Sequence, residues 1–287
     1  MKTDFPNITI LGGGLLGGSL ALALDKLESP PVIRLWARKE ITVETARGLG
    51  IKGVTSDLTE AVKDANLIIL AVPVGSMVSL VSSCLEIGLT PGCLITDVGS
   101  VKRVPHLKIG PLLRELDHHF IGSHPMAGSE RNGLSAVSDS LFQNAACLLT
   151  NDDAAPAAQA AALERFWKQV GCRTSWMSAA IHDELVARIS HLPHLVAASA
   201  ARVCLKDPSE GKFGGGGLRD TTRVAAGNPE MWAEIVIENR EALIGLLEES
   251  IADLGEILAS LKNADQEMAR RWLVTAKQRR DPLNSVQ

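Results

Sequence analysis

The sequence lacks the cysteine pattern and the charge that mark several protein classes. Its five cysteines lie far apart, include no C-x-x-C pair and have mostly apolar neighbours. This spacing argues against a disulfide framework or a zinc site, so we predict reduced thiols in the core. The formal net charge of −4 is small for 287 residues, which argues against a nucleic-acid-binding protein and favours a small metabolite as partner. The cysteines are Cys84, Cys93, Cys147, Cys172 and Cys204.

Long apolar runs are also absent. No uninterrupted run reaches the roughly 20 residues that crossing a bilayer requires. The N-terminus lacks the basic region and the cleavage site of a secretory signal. We therefore expect a protein that does not bind membranes and that resides in the cytoplasm.

The patterns that are present predict two domains. With 46% hydrophobic residues over 287 positions, the chain can bury a substantial core, and its length favours two domains over one. Strand-like segments alternate with helical segments over residues 1–177, which predicts an α/β domain with a Rossmann-type, doubly wound sheet. Residues 178–287 contain almost only helical patterns, which predicts an all-α domain. The predicted strands are "NITIL", "PVIRLWA", "ANLIILAVP", "GCLITDVGS", "HFIGSHPMAG", "NAACLLT" and "RTSWMS".

One predicted helix within residues 231–261 carries an apolar stripe. Apolar residues recur there at three- and four-residue steps, over about eight helical turns. Such a stripe packs either in the core of its own domain or against another subunit. Its members are Leu243, Leu247, Ile251, Leu254, Leu258 and Leu261.

A glycine-rich loop follows the first predicted strand. Gly12, Gly14 and Gly17 form G-x-G-x-x-G directly before a helix, with Leu15 and Leu16 inside the motif. Such a turn lets backbone N–H groups and the helix N-terminus hold a pyrophosphate. The loop therefore predicts dinucleotide binding; the alternative is a purely structural turn.

The end of the second strand bears on the type of nicotinamide cofactor. An acidic residue there accepts the ribose hydroxyls of NAD, but Ala37 occupies this position and Arg38 and Lys39 follow. Positive charge favours a 2′-phosphate, so we predict NADP, with NAD possible if Arg38 only stacks on adenine or faces solvent. Val72 and Pro73, after a later strand, are predicted to face the cofactor as well.

Two side chains are candidates for the chemistry. The loops after the parallel strands meet at one edge of the sheet, and they bring Ser100 and His124 to it. His124 lies in a stretch of small residues, where packing does not explain an imidazole. Ser100 also suits a helix N-cap, and both roles are compatible.

The helical half offers candidates for binding substrate. His191 and His194 flank Pro193 and can face one side of a kinked helix. They could form a metal pair without an evident third ligand, fill a core position or contact substrate. Further on, Arg219, Asp220 and Arg223 follow a glycine run just before a helix start; arginine there suits a carboxylate, the alternative being a solvated loop.

These stretches together resemble the prephenate and arogenate dehydrogenase family of tyrosine biosynthesis. The resemblance covers roughly residues 7–245 and rests on five motifs in family order. The motifs are "ILGGGLLGGSLALAL", "DVGSVK", "HPMAGSE", "SHLPH" and "LRDTTRVAAGNPEMW".

The resemblance implies oxidative decarboxylation of prephenate to 4-hydroxyphenylpyruvate and CO₂ with reduction of NAD(P), and a homodimer formed through the helical domain. We predict no metal site, because His191 and His194 lack a third ligand at suitable spacing. The resemblance assigns the proton-accepting role to His124 with Ser100 as its hydrogen-bonded neighbour. His194 and Arg223 resemble the groups for the substrate carboxylates. Further residues implied are Ser190, His191 and Trp232 as lining, Glu130 as a gate or brace for Arg223, and His182 and Asp183 near the pocket entrance.

Three alternatives remain open at this point. Arogenate carries an ammonium that a free carboxylate would select, and since Glu130 is the only acid in "SERNG", prephenate is favoured if Glu130 pairs with Arg223. A β-hydroxyacid dehydrogenase would need a lysine after the domain junction, and residues 182–202 contain none. A catalytically silent NADP-binding sensor would bind the cofactor without turning over either ring acid.

Overall fold

The computed structural model describes residues 3–127 and 133–285. Its centre is an eight-stranded sheet with the order β3-β2-β1-β4-β5-β6-β7-β8. All neighbouring strands run parallel except β6 and β7, which are antiparallel. The strands are β1 (Asn7–Leu11), β2 (Val32–Trp36), β3 (Val54–Thr55), β4 (Leu67–Leu70), β5 (Leu94–Asp97), β6 (His119–Pro125), β7 (Ala146–Thr150) and β8 (Arg173–Trp176). The predicted doubly wound Rossmann-type sheet is confirmed.

Helices cover both faces of this sheet. Successive residues of β4 alternate between two buried clusters, Leu67 and Ile69 entering one, and Ile68 and Leu70 the other. This explains why the strand reads as a continuous apolar run. The helices associated with the sheet are α1 (Leu15–Asp25), α2 (Glu40–Gly48), α3 (Leu58–Val62), α4 (Val74–Ile87), α5 (Arg103–Leu113) and α6 (Ala157–Val170).

Past β8 the described residues form helices and loops without strands, as predicted for an all-α region. A π-helical turn, Ala187–His191, joins the first two of these helices and ends two residues before Pro193. Proline cannot donate the regular helical hydrogen bond, and a π turn accommodates such a break. The helices are α7 (Ala179–Val186), α8 (Leu192–Cys204), α9 (Gly216–Thr222), α10 (Pro229–Glu238), α11 (Arg240–Lys262) and α12 (Gln266–Arg280).

Three local expectations differ from the structure. Strand β3 was not predicted, because two residues carry no readable periodicity. The helix expected within 231–261 is divided at Asn239 into α10 and α11. Arg219 and Asp220 lie inside α9, which begins at Gly216, and not in a loop before a helix start.

The chain forms two compact units, one up to Asn239 and the other from Arg240 onwards. The predicted domain boundary after residue 177 rests on the change in sequence pattern and stays a prediction. In the second unit, Leu243 is buried, whereas the other five members of the apolar stripe on α11 are 40–70% exposed. In the chain by itself, these five residues do not form a core.

Four of the five cysteines are buried free thiols, as expected, but Cys204 is exposed, so the prediction of a core position is wrong for that residue. It lies in the last turn of α8, which ends there. Within residues 3–127 and 133–285, no helix is long and apolar enough to cross a bilayer; in α11, charged residues alternate with the apolar stripe along the sequence.

We expect Gly12→Ala to destabilise the fold and Gly14→Ala to leave it nearly unchanged. Gly12 has φ +130°, and an added Cβ would overlap the carbonyl of Ala71. Such strain costs about 1–3 kcal/mol. Gly14 has open space around it, and alanine at this N-cap costs less than about 1 kcal/mol. Thermal unfolding of the two variants without cofactor measures the difference, and equal melting temperatures would contradict this reading of the loop.

Candidate active site

The glycine loop forms a cradle between β1 and α1. The amide of Gly12 donates to the carbonyl of Trp36 at 2.9 Å, and an added Cβ on Gly17 would overlap the Gly12 carbonyl. Gly14 is the N-cap of α1 and has no side chain to occupy the space at the helix N-terminus. Leu15 and Leu16 are half-buried in the first turn. The loop therefore fits a dinucleotide pyrophosphate, held by backbone N–H groups.

No acidic side chain occupies the end of β2. Ala37 is buried, and Arg38 and Lys39 are exposed beside it. The nearest acid in sequence, Glu40, accepts a hydrogen bond from Ser56 at 2.7 Å and so is engaged elsewhere. The charge at this strand end is therefore positive, as predicted from the sequence.

Val72 and Pro73 lie in the short connection between β4 and α4. Val72 is half-buried and Pro73 is exposed. The parallel strands β1, β4, β5 and β6 end at the same edge, so this connection shares that edge with the glycine loop and with His124 on β6.

His124 is buried at the end of β6 and belongs to a hydrogen-bonded chain of three side chains. Its Nδ1 lies 2.9 Å from Nε2 of His182. The Nδ1 of His182 lies 2.7 Å from a carboxylate oxygen of Asp183. Since a carboxylate only accepts, His182 donates from Nδ1 and accepts at Nε2. His124 must then donate from Nδ1, which leaves the lone pair on its Nε2.

The carboxylate of Asp183 is held by backbone groups as well as by His182. The amides of Lys102 and Arg103 donate to its two oxygens at 2.7 and 3.0 Å, so Asp183 caps the N-terminus of α5 from another part of the chain. Burial alone would raise the pKa of Asp183, but the hydrogen bonds from His182 and the two amides outweigh it and lower the pKa. Asp183 is therefore ionised and fixed in orientation.

Burial also keeps the two histidines of this chain neutral. The pKa of His124 lies well below its usual value, first because of burial and then because of the nearby His182 and Lys102. Burial likewise lowers the pKa of His182, although its bond to Asp183 opposes the shift. A neutral His124 with a free lone pair on Nε2 can accept a proton.

A buried ion pair supports the strand that carries His124. Lys102 and Asp97 are both fully buried, with 2.6 Å between Nζ and the carboxylate. The other oxygen of Asp97 accepts from the amide of Ser123 at 3.0 Å. The indole of Trp167 donates to the Ser123 hydroxyl at 2.9 Å. These bonds fix β6 at the residue before His124. The sequence reasoning missed them because Ser123 lies 26 positions from Asp97 and 44 from Trp167, and because the five-residue spacing of Asp97 and Lys102 does not reveal that both are buried.

His191 and His194 both face Trp232 of α10. The ring of His194 stacks on Trp232 with 3.5 Å between centroids, and His191 meets the same ring edge-on at 6.0 Å. Burial lowers the pKa of His194, opposed by a hydrogen bond with the backbone of Val224, and its Nδ1 is buried without a partner in the described part of the chain. Within the described residues, no group of three His, Cys, Asp or Glu side chains is arranged to hold a metal ion.

The structure also gives the positions of the remaining candidates. Ser100 is half-buried. Among the described residues, no hydrogen bond joins it to His124. The N-cap of α5 is Lys102, so the predicted N-cap role of Ser100 is wrong. Ser190 is half-buried in the π-helical turn, and Arg223 is exposed directly after α9. Glu130 lies outside the described residues.

The expected position of His182 and Asp183 near the pocket entrance is wrong. Both residues have 0% exposure. Asp183 is buried because it accepts hydrogen bonds from the first amides of α5, and His182 is buried between it and His124. A sequence motif does not reveal how deeply a residue is buried.

Comparison with known proteins identifies the family. The family model of the prephenate dehydrogenase nucleotide-binding domain matches residues 20–176, and that of the prephenate dehydrogenase dimerization domain matches residues 178–275. Cyclohexadienyl dehydrogenase of Zymomonas mobilis is 36% identical over 270 residues, covering 92% of this chain and 91% of that protein. Prephenate dehydrogenase of Bacillus subtilis is 32% identical over 284 residues, covering 96% of this chain and 76% of that protein.

A solved structure agrees with this result. Prephenate dehydrogenase from Aquifex aeolicus, in complex with hydroxyphenyl propionate and NAD+, superposes with a TM-score of 0.87 at 26% identity. The match covers 99% of this chain and 100% of that one. With both family domains matched in order and the glycine cradle and buried histidine in place, the chain belongs to the prephenate dehydrogenase family.

Proposed function

We propose that this chain catalyses the NAD(P)-dependent oxidative decarboxylation of prephenate, with His124 as the general base. The observation that carries the proposal is the buried chain from Asp183 through His182 to His124, which leaves a neutral lone pair on Nε2 at the edge where the cofactor cradle lies. A general base needs this protonation state before the reaction starts.

The chemistry divides between cofactor and protein. The bound dinucleotide supplies the acceptor for the hydride that leaves the ring carbon bearing the hydroxyl. His124 takes the hydroxyl proton at Nε2 and passes to the imidazolium form, which Asp183 stabilises through His182. The electron pair of the breaking bond to CO₂ enters the ring, which becomes aromatic, and the phenolate oxygen takes the proton back from Nε2 of His124.

The remaining site residues hold the substrate in this proposal. His194 and Arg223 bind its carboxylates, and Ser190, His191 and Trp232 line the pocket. Ser100 is the second catalytic residue beside His124. Support comes from Nδ1 of His194, which is buried without a hydrogen-bond partner among the described residues.

We propose prephenate rather than arogenate as the preferred substrate. The two buried acids near His124 are both committed, Asp97 to Lys102 and Asp183 to His182 and two amides. Neither carboxylate is therefore spare to pair with the ammonium of arogenate. For the cofactor we propose NADP over NAD, because Arg38 and Lys39 replace the acidic residue that the ribose hydroxyls of NAD require.

Four initial rates test the reaction and both preferences. Purified protein is given prephenate or arogenate, each with NAD or NADP, and the absorbance of the reduced cofactor is followed. We expect the highest rate with prephenate and NADP. Faster turnover of arogenate, or of NAD, would reverse the corresponding preference. Cofactor binding without turnover of either ring acid would overturn the proposed function in favour of a silent sensor.

For His124→Asn we expect kcat to fall at least ~10²-fold, the scale of a lost general base, while the Kd for the dinucleotide stays nearly constant. Steady-state kinetics and cofactor titration measure the two quantities. His119→Asn is the matched control, since His119 starts the same strand β6 and should retain normal kcat. Full activity of the His124 variant would remove this residue from the chemistry.

We further propose a homodimer formed through the helical region, and a cytoplasmic location. The matched family domain is described as a dimerization domain. The exposed members of the stripe on α11 form an apolar face that the chain itself leaves uncovered, and a second subunit could bury this face. The buried free thiols are compatible with a reducing compartment.

For Leu254→Asp we expect the dimer to dissociate, because a carboxylate at the centre of the apolar face cannot be buried without a partner. Light scattering after size exclusion should give about 30.6 kDa for the variant and about twice that mass for the unaltered protein. Ala252→Asp adds the same charge to an exposed position of α11 off the stripe and should leave the dimer intact. A dimeric Leu254 variant would place the interface elsewhere.

A further inference from the structure

Asn239 lies at the end of α10 and is buried, with 3% exposure. Its side-chain nitrogen Nδ2 lies 2.9 Å from the backbone carbonyl of Asp183 and 3.0 Å from Nδ1 of His191. No sequence motif drew attention to this residue. Its two contacts join α10 to the segment that carries both Asp183 and His191.

These contacts fix the position of the proton on His191. A backbone carbonyl only accepts, so the atom of Asn239 that faces Asp183 must be the amide nitrogen. The same nitrogen donates its second N–H to Nδ1 of His191, so this ring nitrogen accepts the hydrogen bond and carries no proton. In the neutral ring, the proton of His191 is therefore on Nε2.

Resting on the proposed function, we infer that Asn239 is a positioning residue that holds His191 as a neutral Nε2–H donor to a carboxylate oxygen of the bound ring acid. His124 and His191 then have opposite tautomers, since one presents a lone pair and the other presents an N–H. Both tautomers depend on Asp183. Its carboxylate fixes which nitrogen of His182 carries the proton, and its backbone carbonyl fixes the orientation of the Asn239 amide.

Two further observations point the same way. Burial lowers the pKa of His191 to about 4, so the ring is neutral at physiological pH. Trp232 meets His191 edge-on and also stacks on His194, so the two histidines, which are 1% and 7% exposed, contact the same indole ring. A neutral donor suits the ring carboxylate that leaves as CO₂, because a cation would stabilise this group more in the ground state than in the transition state, whereas the side-chain carboxylate stays on the product.

The first test reads the proton directly. Nitrogen NMR of the ¹⁵N-histidine-labelled protein distinguishes Nδ1–H from Nε2–H, and the signal that disappears in His191→Gln belongs to His191. We expect Nε2–H in the unaltered protein and loss of this preference in Asn239→Leu. A proton on Nδ1 in the unaltered protein would overturn the inference even if the enzyme is fully active.

The second test is a double-mutant cycle in the enzyme assay. Asn239→Leu should lower kcat/KM with prephenate about 10–100-fold, mainly through KM, as for a lost hydrogen bond to a charged group. In His191→Gln the glutamine amide replaces the Nε2–H donor without needing Asn239. Adding Asn239→Leu to that variant should therefore cost much less, whereas fully additive losses would contradict the inference.

Controls distinguish a failure of this inference from a loss of folding and from a failure of the proposed function. Asn263→Leu removes an exposed asparagine that lies outside the site, directly after α11, and should leave kcat/KM unchanged. If Asn239→Leu does not fold, the spectrum of the unaltered protein still decides the tautomer. If the unaltered protein oxidises neither ring acid, the proposed function fails while the proton position on His191 is still read.

Discussion

Asp183 is bonded through both carboxylate oxygens and through its backbone carbonyl, and each bond fixes a different part of the candidate site. The oxygens accept from His182 and from the first amides of α5, and the carbonyl accepts from Asn239. A buried anion is stable only when its acceptors are satisfied. Because Asp183 meets this requirement through groups from three segments, it holds β6, α5 and the helical region in one arrangement.

This arrangement explains how a buried imidazole can serve as a base without carrying charge beforehand. Burial and the positive charge of Lys102 disfavour the imidazolium form of His124, while the link through His182 to Asp183 can stabilise that form once a proton arrives. The ion pair between Lys102 and Asp97 is itself fully buried, which is costly unless further bonds satisfy both charges. Gly99, Val101 and Ser123 supply those bonds from the backbone.

Much of the fold could be predicted from the sequence because its signals are local. The alternation of apolar strands with helices gave the doubly wound sheet, and the spacing of Gly12, Gly14 and Gly17 gave the cofactor turn. Strand β3 and the break at Asn239 were missed because two residues show no period and a single capping residue does not interrupt an apolar stripe. The motifs around His124, His191 and His194 indicated the candidate side chains but not the residues to which they are hydrogen-bonded or against which they pack.

The sequence by itself determined the fold class, the dinucleotide turn and the family, since each rests on residues that are neighbours along the chain. Only the tertiary structure decided that Asp183 and His182 are buried behind His124, that Asn239 contacts His191 and that Lys102 neutralises Asp97. Apart from Lys102 and Asp97, which lie five positions apart, these contacts join residues dozens of positions apart. The protonation of each histidine depends on which atom of its partner it meets. The tautomer and the burial of each histidine therefore depend on the packing of the whole chain, and the spacing of residues along the sequence does not reveal them.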